Sequence, residues 1–142
     1  MTTSLLLDNS AWVRLTHHGL APERSEEIAD ALQAGAIVVC LPFLLEAGYS
    51  ARTAAEHDGL LTELLSLPWI HIDEAVEQRA LDAQRQLARV GHHRLPPVDL
   101  LIAAVADRHQ LGVLHYDHDY DVLAERTELR FQSEWLAPAG SL

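Results

Sequence analysis

Apolar residues fall in short blocks along this chain, and the spacing within a block changes from one block to the next. Residues 4–7, 36–40, 69–72 and 113–116 are continuous and rich in leucine, valine and isoleucine, and each predicts a short strand. The β-branched run 36–40 has no polar alternation, which predicts a strand covered on both faces. A weaker fifth strand is predicted over 129–131. Between these blocks the period lengthens to that of a helix. Ser10 is placed to cap a helix through Trp12 and Leu15. Pro22 opens a second helix over 23–33, with Ile28, Ala31 and Leu32 on one face and Gly35 as its stop. Pro42 starts a third through Tyr49, and a fourth covers roughly 53–67. Asp73 caps a long helix to about Val90, with Val76, Ala80, Leu81, Ala83, Leu87 and Ala88 as its core face. Pro96-Pro97 introduces a helix through Asp99, Leu101, Ile102 and Val105 that stops near Gln110, and a short helix covers 120–125. Strands alternating with helices predict an α/β domain around a mainly parallel sheet.

Length and composition bound the rest. At 142 residues the chain fits one domain, with a core from about 4 to 132 and a short tail over 137–142. No apolar run approaches a membrane span, and the first residues lack a basic region and cleavage site. The single cysteine, Cys40, closes an apolar run and reads as a buried thiol in a reducing compartment. A cytoplasmic protein is the expectation. The net charge of −11 argues against nucleic-acid binding by bulk attraction, without excluding a local basic surface. All ten cationic residues are arginine. Without lysine, a Walker-type phosphate loop, a phospho-acceptor receiver and a Schiff-base enzyme all fall away.

Four acids stand in unusual company. Asp8 follows Leu5-Leu6-Leu7, and Asp117 follows Val113-Leu114-His115-Tyr116, so both lie at the carboxyl end of a predicted strand, where open parallel sheets bind ligands. Glu46 is embedded in an apolar helix that begins at Leu41-Pro42, and Asp99 sits inside Val98-Asp99-Leu100-Leu101-Ile102. A buried carboxylate needs a partner or gives up its charge. Arginine pairs are the structural explanation, since ten arginines are available. A divalent cation is the chemical one, because it satisfies several carboxylates at once, and all-oxygen ligation favours Mg²⁺ or Mn²⁺ over zinc. The other acids, such as Glu23, Glu26, Glu27, Glu63, Glu74, Glu77 and Asp82, fit solvated helix faces.

The segment GVLHYDHDYDVLAE also invites a calcium-loop reading. Asp117, Asp119, Asp121 and Glu128 occupy its first, third, fifth and twelfth positions. The sixth, which needs glycine, is Val122, and the preceding segment predicts a strand where a helix is required. The histidines suggest zinc only weakly. His17-His18 and His92-His93 are adjacent pairs, and no cysteine pair or HExxH pattern supports His115 or His118. Most histidines are expected on the surface, with His118 near enough to the acids to touch a phosphate.

Leu6-Leu7-Asp8-Asn9-Ser10, Leu41-Pro42 through Glu46, Pro97-Val98-Asp99-Leu100-Leu101-Ile102-Ala103-Ala104 and Leu114-His115-Tyr116-Asp117-His118-Asp119-Tyr120 together resemble a PIN domain. More narrowly, they resemble the VapC ribonuclease toxins of bacterial toxin–antitoxin pairs. The match runs from Asp8 to Glu125 in the family's order and spacing. It implies a PIN-like parallel sheet flanked by helices, with Asp8, Glu46, Asp99 and Asp117 as the catalytic, metal-holding acids. Asp119 is implied as a secondary ligand or holder of a water, and Ser10 as the supporting hydroxyl. Asn9 departs mildly from the threonine often found there. Asp121 has no family role and is expected to be solvated.

The implied activity is a Mg²⁺- or Mn²⁺-dependent endoribonuclease acting on structured RNA, a transfer RNA or a ribosomal RNA loop. Arg14, Arg94 and Arg108 are the candidate phosphate contacts. A VapB-type antitoxin and a homodimer are the implied partners. Two rivals are a catalytically idle PIN-like binding module and an acid-cluster enzyme directed at DNA or phosphate esters.

Overall fold

The computed structural model describes residues 3–142. Five strands form one parallel sheet: β1 (Leu5–Leu7), β2 (Ile37–Cys40), β3 (Trp69–Ile70), β4 (Gly112–His115) and β5 (Gln132–Trp135). Their spatial order is β3-β2-β1-β4-β5, with every pairing parallel. The helices are α1 (Asn9–Trp12), α2 (Pro22–Gln33), α3 (Leu41–Tyr49), α4 (Ala54–Leu64), α5 (Glu74–Arg89), α6 (Pro97–His109) and α7 (Asp119–Arg126). The expected α/β class and parallel sheet are what the chain forms.

From β1 the chain builds outward to β2 and β3, then returns to add β4 and β5 on the other side. The gap between β1 and β4 is therefore the switch point of the sheet, outside whose carboxyl ends ligands bind. Leu5, Leu6 and Leu7 are all buried, as are all four residues of β2 and of β4, so the unalternated apolar runs reflect cover on both faces. Gly112 opens β4 where space is shortest: a Cβ there would stand 2.7 Å from the Leu5 side chain and 3.2 Å from the Gln132 carbonyl. Cys40 is buried at the end of β2, and burial pushes its thiol up to about 12, keeping it neutral.

The helices begin and end on local signals. Asp73 accepts from Val76 N at 2.9 Å to cap α5, and Thr53 accepts from Glu56 N to cap α4. Gly35 adopts φ +71° just past α2, as expected of a helix stop.

Several expectations are corrected. Ser10 does not cap α1; Asp8 does, accepting from Ser10 N, and the helix stops at Trp12. The last strand lies at Gln132–Trp135, not 129–131, because its pairing with β4 is a backbone matter. The apolar residues Leu129 and Phe131 pack inward just before it. On α5 the buried face is Val76, Ala80, Ala83 and Leu87, while Leu81 and Ala88 face outward. A turn of about 3.6 residues sets each a full step off that stripe. No helix among the described residues is long and apolar enough to cross a membrane.

Candidate metal centre

Four elements meet at the carboxyl edge of the sheet. Asp8 leaves β1 with extended backbone and is 3% exposed. Its Oδ2 accepts from Ser10 N and from Ser10 Oγ, and its Oδ1 accepts from Tyr120 Oη at 2.7 Å. Ser10 Oγ in turn accepts from Tyr116 N at 2.8 Å, so one hydroxyl ties the end of β1 to the end of β4. Asp99 lies in the first turn of α6, where the helix dipole favours an anion, and is 5% exposed. Half-buried Glu46 comes from α3. Asp117 follows β4, donating its backbone N–H to His115 Nδ1 at 3.1 Å and accepting from Asp119 N at 2.9 Å.

These placements bring the acids together. Carboxylate oxygens of Asp8, Glu46 and Asp99 lie within 4.8 Å of one another, as do those of Asp99, Asp117 and Asp119. Asp99 belongs to both groups. Its carboxyl is pushed up to about 8, first by burial, then by the charges of Asp8 and Asp117 and by the adjacent Asp119 carboxyl. Burial, followed by Asp8 and Asp117, also raises Glu46; burial and Asp117 raise Asp119.

The alternative of private arginine partners is excluded among the described residues. Arg24, Arg79, Arg85 and Arg108 make the arginine ion pairs, and none of them reaches Asp8, Glu46, Asp99, Asp117 or Asp119. Asp99 Oδ2 is buried with no hydrogen-bond partner. An orphaned carboxylate oxygen amid like charges is a costly arrangement for an apolar edge. Hard oxygen donors at this density fit Mg²⁺ or Mn²⁺, and the absence of sulfur or imidazole among them disfavours zinc.

The three arginines part company. Arg14 stays at the acid edge, its Nη1 donating to Ser10 O at 2.8 Å and its guanidinium lying 4.6 Å from the centre of the Tyr116 ring. Arg94 is exposed and shares with Asp119 a depression of about 280 Å³. Arg108 belongs elsewhere: it sits in the last turn of α6 and donates Nε to Asp73 at 3.1 Å. Nine residues of helix, roughly 13 Å at about 1.5 Å per residue, separate it from Asp99.

One further expectation fails, and one histidine departs from the surface pattern of the others. Asp121 is not simply solvated, since it accepts from Ser133 Oγ at 2.8 Å and from Trp135 Nε1 at 3.0 Å. His115 is fully buried, and burial lowers its affinity for a second proton. His118 is exposed at the rim beside the Trp135 ring. Sequence reasoning missed Tyr120, whose buried hydroxyl also lies 3.5 Å from Asp99 Oδ1. A larger concavity, about 810 Å³ along α2 and β5, is lined by Arg24, Ile28, Ala31, Glu134 and Trp135 and contains none of these acids.

A PIN-domain family model matches residues 5–126. Ribonuclease VapC18 of Mycobacterium tuberculosis is 39% identical over 139 residues, covering 96% of this chain and 97% of its own. Ribonuclease VapC51 of the same organism is 36% identical over 142 residues, covering 100% and 99%. Among solved structures, DNA-bound VapBC from Salmonella typhimurium superposes with a TM-score of 0.72 at 20% identity, over 96% of this chain and 100% of that one.

Proposed function

The chain belongs to the PIN-domain family, within its VapC group, and from that premise we propose that it is the toxin of a toxin–antitoxin pair, a metal-dependent endoribonuclease. The observation that carries this reading is the convergence of Asp8, Glu46, Asp99, Asp117 and Asp119 without a cationic side chain among them. An idle binding module has no reason to keep a buried orphaned oxygen at that point.

Asp8, Glu46 and Asp99 would hold a Mg²⁺ or Mn²⁺ ion, with Asp117 and Asp119, which group with Asp99 in turn, as further ligands or holders of water. Such an ion supplies positive charge against the scissile phosphate and makes an attacking water more acidic. The side chains do the remaining work. Ser10 and Tyr120 fix both oxygens of Asp8, so that the carboxylate needs no reorganisation on binding. Arg14, steadied by Tyr116, Arg94, which shares a depression with Asp119, and the exposed His118 would meet flanking phosphates. Arg108, held by Asp73, takes no part. Hydrolysis then leaves 5′-phosphate and 3′-hydroxyl ends.

The substrate is structured RNA, a transfer RNA or ribosomal RNA loop, read by shape and exposed bases. With a formal net charge of −11, the protein repels RNA until the acids are neutralised. The same cluster would accept a guanidinium, and a VapB-type antitoxin that inserts one competes with the ion. The place of action is the cytoplasm. Purified protein in Mn²⁺ or Mg²⁺ is expected to cleave an RNA panel, to stop on chelation, and to leave duplex DNA, single-stranded DNA and phosphate monoesters intact. Cleavage that persists with excess chelator refutes the metal reading, and preference for DNA refutes the substrate.

A homodimer is part of the same reading. Leu41, Leu45 and Tyr49 recur every four residues on α3 and are 44%, 65% and 92% exposed. An apolar stripe of this kind meets its own copy about a two-fold axis. Leu45→Arg is expected to raise the dimer dissociation constant about tenfold or more with the fold unchanged. Light scattering across a dilution series reads it; an unaltered constant removes α3 from the interface.

A further inference from the structure

Asp117 is held by something other than the acids around it. Its backbone N–H can only donate, so His115 Nδ1, 3.1 Å away, must accept. The ring proton therefore sits on Nε2, which is 2.7 Å from Ser133 Oγ and must donate to it. The Ser133 hydroxyl is left to donate to Asp121 Oδ1 at 2.8 Å, while Asp121 Oδ2 accepts from Trp135 Nε1 at 3.0 Å. Both ends impose the same direction, since a carboxylate only accepts and an amide N–H only donates. Every proton in the chain is thereby assigned.

The fold explains why these groups meet. His115 ends β4, Ser133 stands on its parallel neighbour β5, and Asp121 projects from the first turn of α7 between them. The imidazole is fully buried, with the Tyr120 and Trp135 rings centred 4.8 Å and 5.0 Å away. Asp117 is consequently tied twice, at its N–H by His115 and at Oδ1 by Asp119 N. Its other oxygen takes no hydrogen bond from the described residues and is free to serve the acid cluster.

We propose that Asp121, Ser133 and His115 form a positioning relay that fixes the backbone of Asp117 and so aims its carboxylate into the metal centre. Outer groups of this kind orient the ligands that touch an ion. The inference rests on the metal reading given above, but the hydrogen-bond chain can be tested without the ion.

Two replacements of similar size divide the functions of the imidazole. His115→Asn keeps an acceptor where Nδ1 stands, and His115→Gln keeps a donor where Nε2 stands. A role in packing alone affects both equally. In metal-free protein, amide exchange at Asp117 is expected to accelerate strongly in His115→Gln and only slightly in His115→Asn, which keeps the acceptor but loses the link to Ser133. Titration with Mn²⁺ is expected to show about tenfold weaker binding for His115→Gln, and about threefold for His115→Asn and Ser133→Ala, which both break the relay beyond Nδ1. Should both His115 variants fail to fold, Ser133→Ala and Asp121→Asn, at half-buried positions, give the same two readouts. Equal behaviour of the Asn and Gln variants, or unchanged Asp117 exchange in Ser133→Ala, overturns the relay. A wild-type protein that binds no Mn²⁺ overturns the metal reading instead, and the exchange comparison still decides the relay.

Discussion

Asp99→Asn is expected to lower RNA cleavage about a hundredfold to a thousandfold while making the metal-free protein more stable. The two effects share one cause. Asp99 is the acid common to both oxygen groups, so removing its charge takes a ligand from each. A loss of about 3–4 kcal/mol in transition-state stabilisation corresponds to that rate change. In the metal-free protein the same charge is a burden. Burial and the neighbouring Asp8 and Asp117 raise its carboxyl from 3.8 to about 8. A carboxyl raised on folding binds its proton more tightly in the native state, so its contribution is whole below pH 3.8 and is lost as pH climbs toward about 8. Asparagine has no proton to lose. Thermal melts of the wild type should therefore fall in midpoint from mildly acidic to mildly alkaline pH, with a shallower fall in Asp99→Asn and the widest gap at and above about pH 8. Saturating Mn²⁺ should reverse the ranking, because only the wild type gains binding energy in the native state. Parallel melts that never cross, with or without Mn²⁺, would mean that Asp99 carries no ionic role.

How far the sequence discloses this site depends on the range of the interactions involved. Asp8 and Asp117 are legible because an apolar strand that ends in a carboxylate is a local pattern, and strand ends are where a parallel sheet exposes backbone and side chain together. Asp99 and Glu46 are legible because each acid interrupts an apolar helical face. Asp121 is not, since its partners Ser133 and Trp135 lie on a strand whose side chains are mostly polar and whose place is set by pairing with β4. The same shift hides His115, which looks like one histidine among nine until Ser133 is brought beside it. Arg108 misleads for a geometric reason: it shares α6 with Asp99, but helix length carries it away and Asp73 claims it. Arg14 is kept at the edge by Ser10 O, four residues back, and by the Tyr116 ring, a contact across elements that no spacing along the chain reveals.

Tyr120→Phe is expected to cost the metal-free protein about 1–3 kcal/mol, and saturating Mn²⁺ is expected to recover much of that loss. The phenol is completely buried, and burial together with Asp8 and Asp99 holds its pKa well above the usual range, so it remains a donor at any working pH. It gives its proton to Asp8 Oδ1 at 2.7 Å, with Asp99 Oδ1 at 3.5 Å as a second acceptor. Phenylalanine preserves the ring between His115 and Phe131 but leaves Asp8 Oδ1 without its donor. The buried Asp8 carboxylate then stands beside the Asp99 carboxyl without the phenol proton that offsets its charge. At roughly 3–4 °C per kcal/mol for a chain of this size, the change is readable in melting temperature. A cation held by Asp8, Glu46 and Asp99 compensates the same charges that the phenol proton compensates, so the deficit should shrink as Mn²⁺ is added. A double-mutant cycle separates this from packing. Tyr120→Phe should lose most of its cost in an Asp8→Asn background, where the acceptor is no longer charged. A cost that is the same in both backgrounds and indifferent to Mn²⁺ would reduce the hydroxyl to filler, and would take with it the argument that the protein itself prepares Asp8 for the ion.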